Sequence, residues 1–191
     1  EGARAFLDSP NEFWRDPETG DLLYIPGDGA ISGSEIVAPT VTRIVELCGN
    51  SPDEPVKNIE FHGIGFDISA FGRVFTETKL GTHGDTPWNE PANKDAAVYL
   101  EHAKDCAVTD CRITNAGYNG VGIVWSGTGN VISGCEITGC GFHAVLLSGY
   151  RAEFGREMDV NRGNTVTNNW LHHCGTLAGH GAGVFVWASG H

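Results

Sequence analysis

The sequence predicts an all-β solenoid from three observations: a 13-residue unit that recurs, a spacing of 24 residues between equivalent positions, and turn residues throughout. The unit is read in residues 105–117 (DCAVTDCRITNAG), 129–141 (GNVISGCEITGCG) and 163–175 (GNTVTNNWLHHCG). A fourth copy, 58–68 (NIEFHGIGFDI), keeps the apolar positions, with Phe61, Ile64 and Phe66 matching Val108, Cys111 and Ile113. Val108 to Ile132 is 24 residues, Ile132 to Val166 is 34, and Phe61 to Val108 is 47. Twenty-four residues make about one coil of a right-handed parallel β-helix, and the longer steps are the same coil carrying an insertion.

Each unit is paired with another short apolar strand: 97–101 (AVYLE), 121–126 (VGIVWS), 143–148 (HAVLLS) and 183–188 (GVFVWA). Short β-branched runs between Gly and Asn turns suit such coils. A leucine-rich repeat would need a regular LxxLxL frame, which is absent. Two segments organise the chain: 1–50, an N-terminal β segment leading into the solenoid, and 51–191, the coils, with insertions at 70–94 and 149–162. The sequence stops after a first strand with no polar cap following. The solenoid is therefore expected to be an incomplete fragment of a longer helix, with further coils or another chain at its open C-terminal end.

Stacking also accounts for the cysteines. Cys111 and Cys135 occupy one coil position, and Cys140 and Cys174 another. Equivalent residues in adjacent coils stand about 4.8 Å apart, so these are read as a buried thiol stack or as disulfides between coils. No CxxC pair is present, so no metal site is expected. Asn130 and Asn164 coincide too, and an inward asparagine row is expected to bond the turn backbone.

A net charge of −12 argues against nucleic acid or an anionic membrane surface as partner. No apolar run is long enough to span a membrane as a helix.

Residues 6–26 (FLDSPNEFWRDPETGDLLYIP) and 56–69 (VKNIEFHGIGFDIS) resemble segments of bacterial right-handed parallel β-helix proteins of pectate-lyase-like fold. DCRITNAGYNGVGI and NNWLHHCG resemble their later coils. The likeness is nearest to the β-helix glycoside hydrolases of α-fucosidase or xylanase type. It implies a secreted, periplasmic or cell-surface protein acting on a polysaccharide or oligosaccharide.

In this architecture a substrate groove runs along the first-strand sheet. Tyr118, Asn119, His143 and His180 fall near the starts of successive first strands. Polygalacturonase-type hydrolases carry an Asp and then an Asp pair at the first two of these places. Here they are Tyr118-Asn119 and Phe142-His143, so that mechanism is not expected. The insertions add Trp88, Tyr150 and Arg151 as sugar contacts, through stacking and charge. Glycoside hydrolysis needs two carboxyl groups, and Glu153, Glu157 and Asp159 are the candidates, beside Asp85 and Glu101. Each also reads as a solvated surface charge. His143 reads as a structural hydrogen-bonding group, a sugar ligand or acid, or a metal ligand.

The function expected is therefore a glycoside hydrolase working without a cofactor. A polysaccharide lyase on the same fold, with Ca²⁺, and a non-catalytic glycan-binding or adhesin-like β-helix are the alternatives.

Overall fold

The computed structural model describes residues 4–27, 33, 35–71, 94–150, 156 and 159–187. The chain forms two compact units, Glu1–Val37 and Ala38–His191. The first unit holds a 3₁₀ turn (Arg4–Phe6) and a hairpin of β1 (Phe13–Arg15) and β2 (Leu22–Tyr24). The hairpin is antiparallel, with Phe13 opposite Tyr24 and Arg15 opposite Leu22. Its loop closes on Asp16, whose Oδ1 accepts the Glu18 and Thr19 amides at 2.8 and 3.3 Å. Gly20 completes the loop at φ 81°, a conformation that glycine takes without strain.

The second unit is the solenoid. Its first coil contains β3 (Val45–Cys48), β4 (Val56–Lys57), β5 (Glu60–His62) and β6 (Gly65–Asp67). The second contains β7 (Ala96–Glu101), β8 (Ala103–Lys104), β9 (Ala107–Thr109) and β10 (Arg112–Thr114). The third contains β11 (Asn119–Val124), β12 (Val131–Ser133) and β13 (Glu136–Thr138). The fourth contains β14 (Val145–Ser148), β15 (Thr165–Thr167) and β16 (Trp170–His172), and β17 (Val184–Trp187) opens a fifth. Among the described residues, three larger parallel sheets result, ordered β17-β14-β11-β7-β3, β15-β12-β9-β5 and β16-β13-β10-β6, and β4 pairs with β8 in a two-stranded parallel one.

The register matches the repeat. Val108 pairs with Phe61 and Ile132, and Ile132 with Val166. Ile113 pairs with Phe66 and Ile137, and Ile137 with Leu171. These rows point inward and fill one core with Val98, Leu100, Val121, Ile123, Val145 and Leu147. The six cysteines are free thiols, so the stack is reduced. Cys111 and Cys135 do the same thing one coil apart: each Sγ donates to the carbonyl two residues back and to one in the preceding coil, at 3.2–3.4 Å. Burial beside Cys174 pushes the Cys140 thiol up to about 12.

Asparagines tie the coils where no strand runs. Asn130 Oδ1 accepts the Cys106 amide at 3.0 Å, and its Nδ2 donates to Ala103 O at 2.9 Å. Asn164 repeats this one coil on, accepting the Asn130 amide at 2.9 Å and donating to Gly127 O at 3.1 Å. Asn169 serves the next turn, accepting from the Cys135 amide and donating to Ile132 O. Elsewhere the coils touch backbone to backbone: a Cβ on Gly141 would stand 2.0 Å from Gly117 O.

Replacing Asn130 by Ala leaves the buried Cys106 amide without its acceptor and takes one of two donors from the Ala103 carbonyl, which keeps the Thr128 amide. A buried amide left unpaired costs about 1–3 kcal/mol, so Asn130→Ala is expected to lower the unfolding free energy by about 2 kcal/mol in urea titration. A loss below about 1 kcal/mol would mean that the ladder is not what holds this turn.

Candidate functional site

The first-strand sheet presents two outward rows. Register places Glu46, Tyr99, Gly122, Leu146 and Phe185 in one, and Cys48, Glu101, Val124, Ser148 and Trp187 in the other. The middle of this face is apolar and buried: Tyr99, Val124, Leu146 and Ser148 have at most 1% exposure. Among the described residues, the outward side chains of the central strands are therefore covered, where an open groove was expected. Val124 packs there with Ala96, Tyr99 and Trp125. Accessible polar chemistry lies at the β3 edge.

There, Arg43 Nε donates to Asp95 Oδ1 at 2.7 Å and Nη1 to Glu46 Oε2 at 3.3 Å. Its guanidinium carbon lies 3.7 Å from the centre of the Tyr99 ring, a stacked cation–π geometry. Tyr99 Oη donates to Glu101 Oε2 at 2.5 Å. Cys48 Sγ lies 3.9 Å from Glu46 Oε2. Burial pushes the Cys48 thiol up, and the charges of Glu101 and Glu46 add to this, so both carboxylates bear on one point of the sheet. The Glu46 side chain is 53% exposed, Glu101 28% and Asp95 10%. Burial, followed by the hydrogen bond to Glu101, drives the Tyr99 hydroxyl far above its ordinary value.

Beyond Glu101 the turn carries His102, at φ 46°, and Trp125, at φ 63°. A left-handed conformation is unusual for residues of this bulk. His102 Nδ1 and Ser126 Oγ share a 2.7 Å hydrogen bond, and His102 Nε2 is 3.8 Å from Glu101 Oε1. Burial pushes His102 down, favouring the neutral ring. The Trp125 ring meets Tyr150 at 4.5 Å, with Lys94 Nζ 5.6 Å from its centre.

The residues singled out in the sequence have varied fates. Glu153, Glu157, Trp88 and Arg151 lie outside the described residues, as does Asp85. Asp159 is paired with Arg156, whose Nη2 reaches Oδ1 at 3.0 Å, while Nη1 holds Asp53 at 3.0 Å. The Arg156 hydrogen bonds hold its carboxyl below the usual range. That shift disfavours Asp159 as a proton donor and leaves it ion-paired to Arg156. Asn119 is buried, accepting the His143 amide at 3.1 Å and donating to Asp95 O at 2.6 Å. It is a coil-stacking asparagine like Asn130, in place of the expected sugar contact. Tyr118 is buried against Phe142 and Ala178, its ring 5.2 Å from that of Phe142, so it packs and offers no exposed platform. His180 is exposed at φ 66° in the turn before β17. Tyr150 is half-buried on Trp125.

His143 is fully buried, with its ring 4.4 Å from Phe185 and within 1° of parallel to it. Its Nδ1 accepts the Ala182 amide at 3.0 Å, so the proton sits on Nε2, which finds no hydrogen-bond partner. Burial pushes its pKa down to about 4. Near neutral pH it is an uncharged donor, which corrects the reading of it as an acid.

Glu46, Asp95, Arg43 and Tyr99 were not anticipated, although Glu101 was. Alternation in AVYLE sets Tyr99 and Glu101 outward, and the same alternation in VELC sets Glu46 and Cys48 outward. That pattern was the available signal.

The His143 shift has a consequence for stability. The unfolded chain takes up the proton near the ordinary value of 6.5, and the folded chain only near 4. The stabilisation is full above about 6.5 and is lost as pH falls toward 4. Between pH 7 and 4.5, His143→Gln should lose less unfolding free energy than the parent, by about 2 kcal/mol. Equal losses in the two proteins would contradict the burial-driven shift.

A family model described as right handed beta helix region matches residues 56–191. No curated protein and no solved structure matches the chain. With parallel coils in register over that span, the chain belongs to the right-handed β-helix family.

Proposed function

We propose that this β-helix belongs to a glycoside hydrolase that cleaves plant or microbial polysaccharide, with Glu46 and Glu101 as its carboxyl pair. The observation that carries the reading is that Glu101 is the register partner of Cys48, whose Sγ lies 3.9 Å from Glu46 Oε2, on the outward face of adjacent strands. Hydrolysis of a glycosidic bond needs one group to protonate the leaving oxygen and another to attack the sugar or activate water. Glu101, which accepts the Tyr99 hydroxyl, is assigned the base or nucleophile. Glu46, on the edge strand and paired with Arg43, is assigned the second carboxyl of the pair. Arg43 and Asp95 are assigned positioning roles, since the guanidinium joins Asp95, Glu46 and the Tyr99 ring in one cluster.

The pectate-lyase-like resemblance supports the substrate class and a secreted, periplasmic or cell-surface location. A lyase on the same residues would need a base able to take the proton next to a uronate. Tyr99 is shifted away from phenolate formation, which weighs against that chemistry at this cluster.

The test is a panel of xylans, pectins, fucosylated glycans and alginate, read by reducing ends and by ultraviolet absorbance of unsaturated products. Release of reducing ends without absorbance is expected. Glu101→Gln and Glu46→Gln should each reduce that rate by about 10²–10⁴-fold. Absorbance would move the assignment to a lyase. Glycan retention without turnover would make the protein a binding module, and full activity in both variants would remove this pair from the chemistry.

A further inference from the structure

The third-strand sheet carries a feature that the catalytic reading does not use. Its inward positions are Phe66, Ile113, Ile137 and Leu171. Its outward residues fall into two rows: Gly65, Arg112, Glu136 and Trp170, and Asp67, Thr114, Thr138 and His172. Trp170 is 65% exposed. Exposure of a large indole is unfavourable on area grounds, and an amphipathic ring left at a wet surface is typical of contact surfaces.

The polar groups around it are fixed. Arg112 Nε donates to Glu136 Oε2 at 3.0 Å. The other carboxylate oxygen, Oε1, lies 3.5 Å from His172 Nε2, a buried atom that makes no hydrogen bond. Thr138 Oγ1 and His172 Nδ1 share a 3.0 Å hydrogen bond, and the His172 ring lies 4.2 Å from that of Trp170. The Arg112 side chain is 66% exposed. An exposed flat apolar ring therefore stands in register with a guanidinium and a carboxylate.

A pyranose has the complementary surface. Its C–H face is apolar and fits an indole, and its equatorial hydroxyls both donate and accept. Arg112 and Glu136 neutralise each other, and the chain carries −12 overall, so a polyanion gains nothing here and is repelled at long range. Two inter-strand steps, about 10 Å, separate Arg112 from Trp170, room for about two sugar rings.

We infer that Trp170, Arg112 and Glu136 form a surface site for a neutral glycan, one sugar stacked on the indole and the next bonded by the ion pair. The site shares no residue with the Glu46 and Glu101 cluster. Loss of the hydrolase reading would leave it standing.

The experiment is affinity electrophoresis in gels cast with xylan, xyloglucan, mixed-linkage glucan or polygalacturonate. The parent protein is expected to be retarded by at least one neutral polymer and to pass polygalacturonate freely. Trp170→Ala should weaken that retardation by about tenfold in apparent Kd, and Trp170→Phe, which keeps a stacking ring, should retain most of it. Glu101→Gln should be retarded like the parent. Urea midpoints matching the parent establish that the variants are folded. The inference is overturned by a parent that no neutral polymer retards, by equal retardation of Trp170→Ala, by retardation in polygalacturonate, or by loss of retardation in Glu101→Gln.

Discussion

The parallel backbone ladders between coils set the neighbour of every strand residue, about 4.8 Å along the solenoid. Val121 has no choice but to sit between Val98 and Val145, and Ile137 between Ile113 and Leu171. Side-chain types must then be compatible in columns rather than in pairs. Apolar columns build the core, thiol columns fill its corners, and asparagine columns satisfy the turns. The asparagines matter because the turn amides of Cys106, Asn130 and Cys135 take side-chain acceptors, and a buried amide without a partner is costly. Asn130 bridges a carbonyl and an amide, and Asn119 does the same at the start of a first strand.

The same columns determine where chemistry can occur. Outward rows on the first-strand sheet become apolar toward its centre, at Gly122, Val124 and Leu146, and charged at its edge, at Glu46 and Glu101. Arg43 holds that edge together by touching two carboxylates and an aromatic face at once. On the third-strand sheet the rows are polar along their length, with an indole at one end. A coil with three faces can present three unrelated surfaces over one core, because the inward columns constrain only alternate residues.

The fold was legible because its signal is repetition. Equivalence of Phe61, Val108, Ile132 and Val166 could be read from the aligned repeat units, and each pairs in register as read. The site was less legible, for two physical reasons. Strand β3 contributes Glu46 but lacks the 13-residue unit, so the repeat gave no reason to place it beside Tyr99. Asn119 and His143 stand two residues before the inward Val121 and Val145, so alternation turns both inward, but their place at strand starts was read as groove lining. Both were expected at the groove, and both are buried, each with one side-chain atom accepting a backbone amide. Glu101 was recoverable because it lies within a strand whose alternation is unambiguous.

Equal register steps from unequal sequence lengths have a bearing on how such a chain changes over time. Forty-seven residues separate Phe61 from Val108 and 24 separate Val108 from Ile132, yet each interval advances the solenoid by one rung. Length added within a turn is absorbed without disturbing the ladder. A single residue added within a strand would turn every later inward side chain of that strand toward solvent. Growth of the solenoid itself is therefore quantised in whole coils. Turns are free to lengthen, and strands are not, so new surface chemistry can accumulate at the corners while the core keeps count.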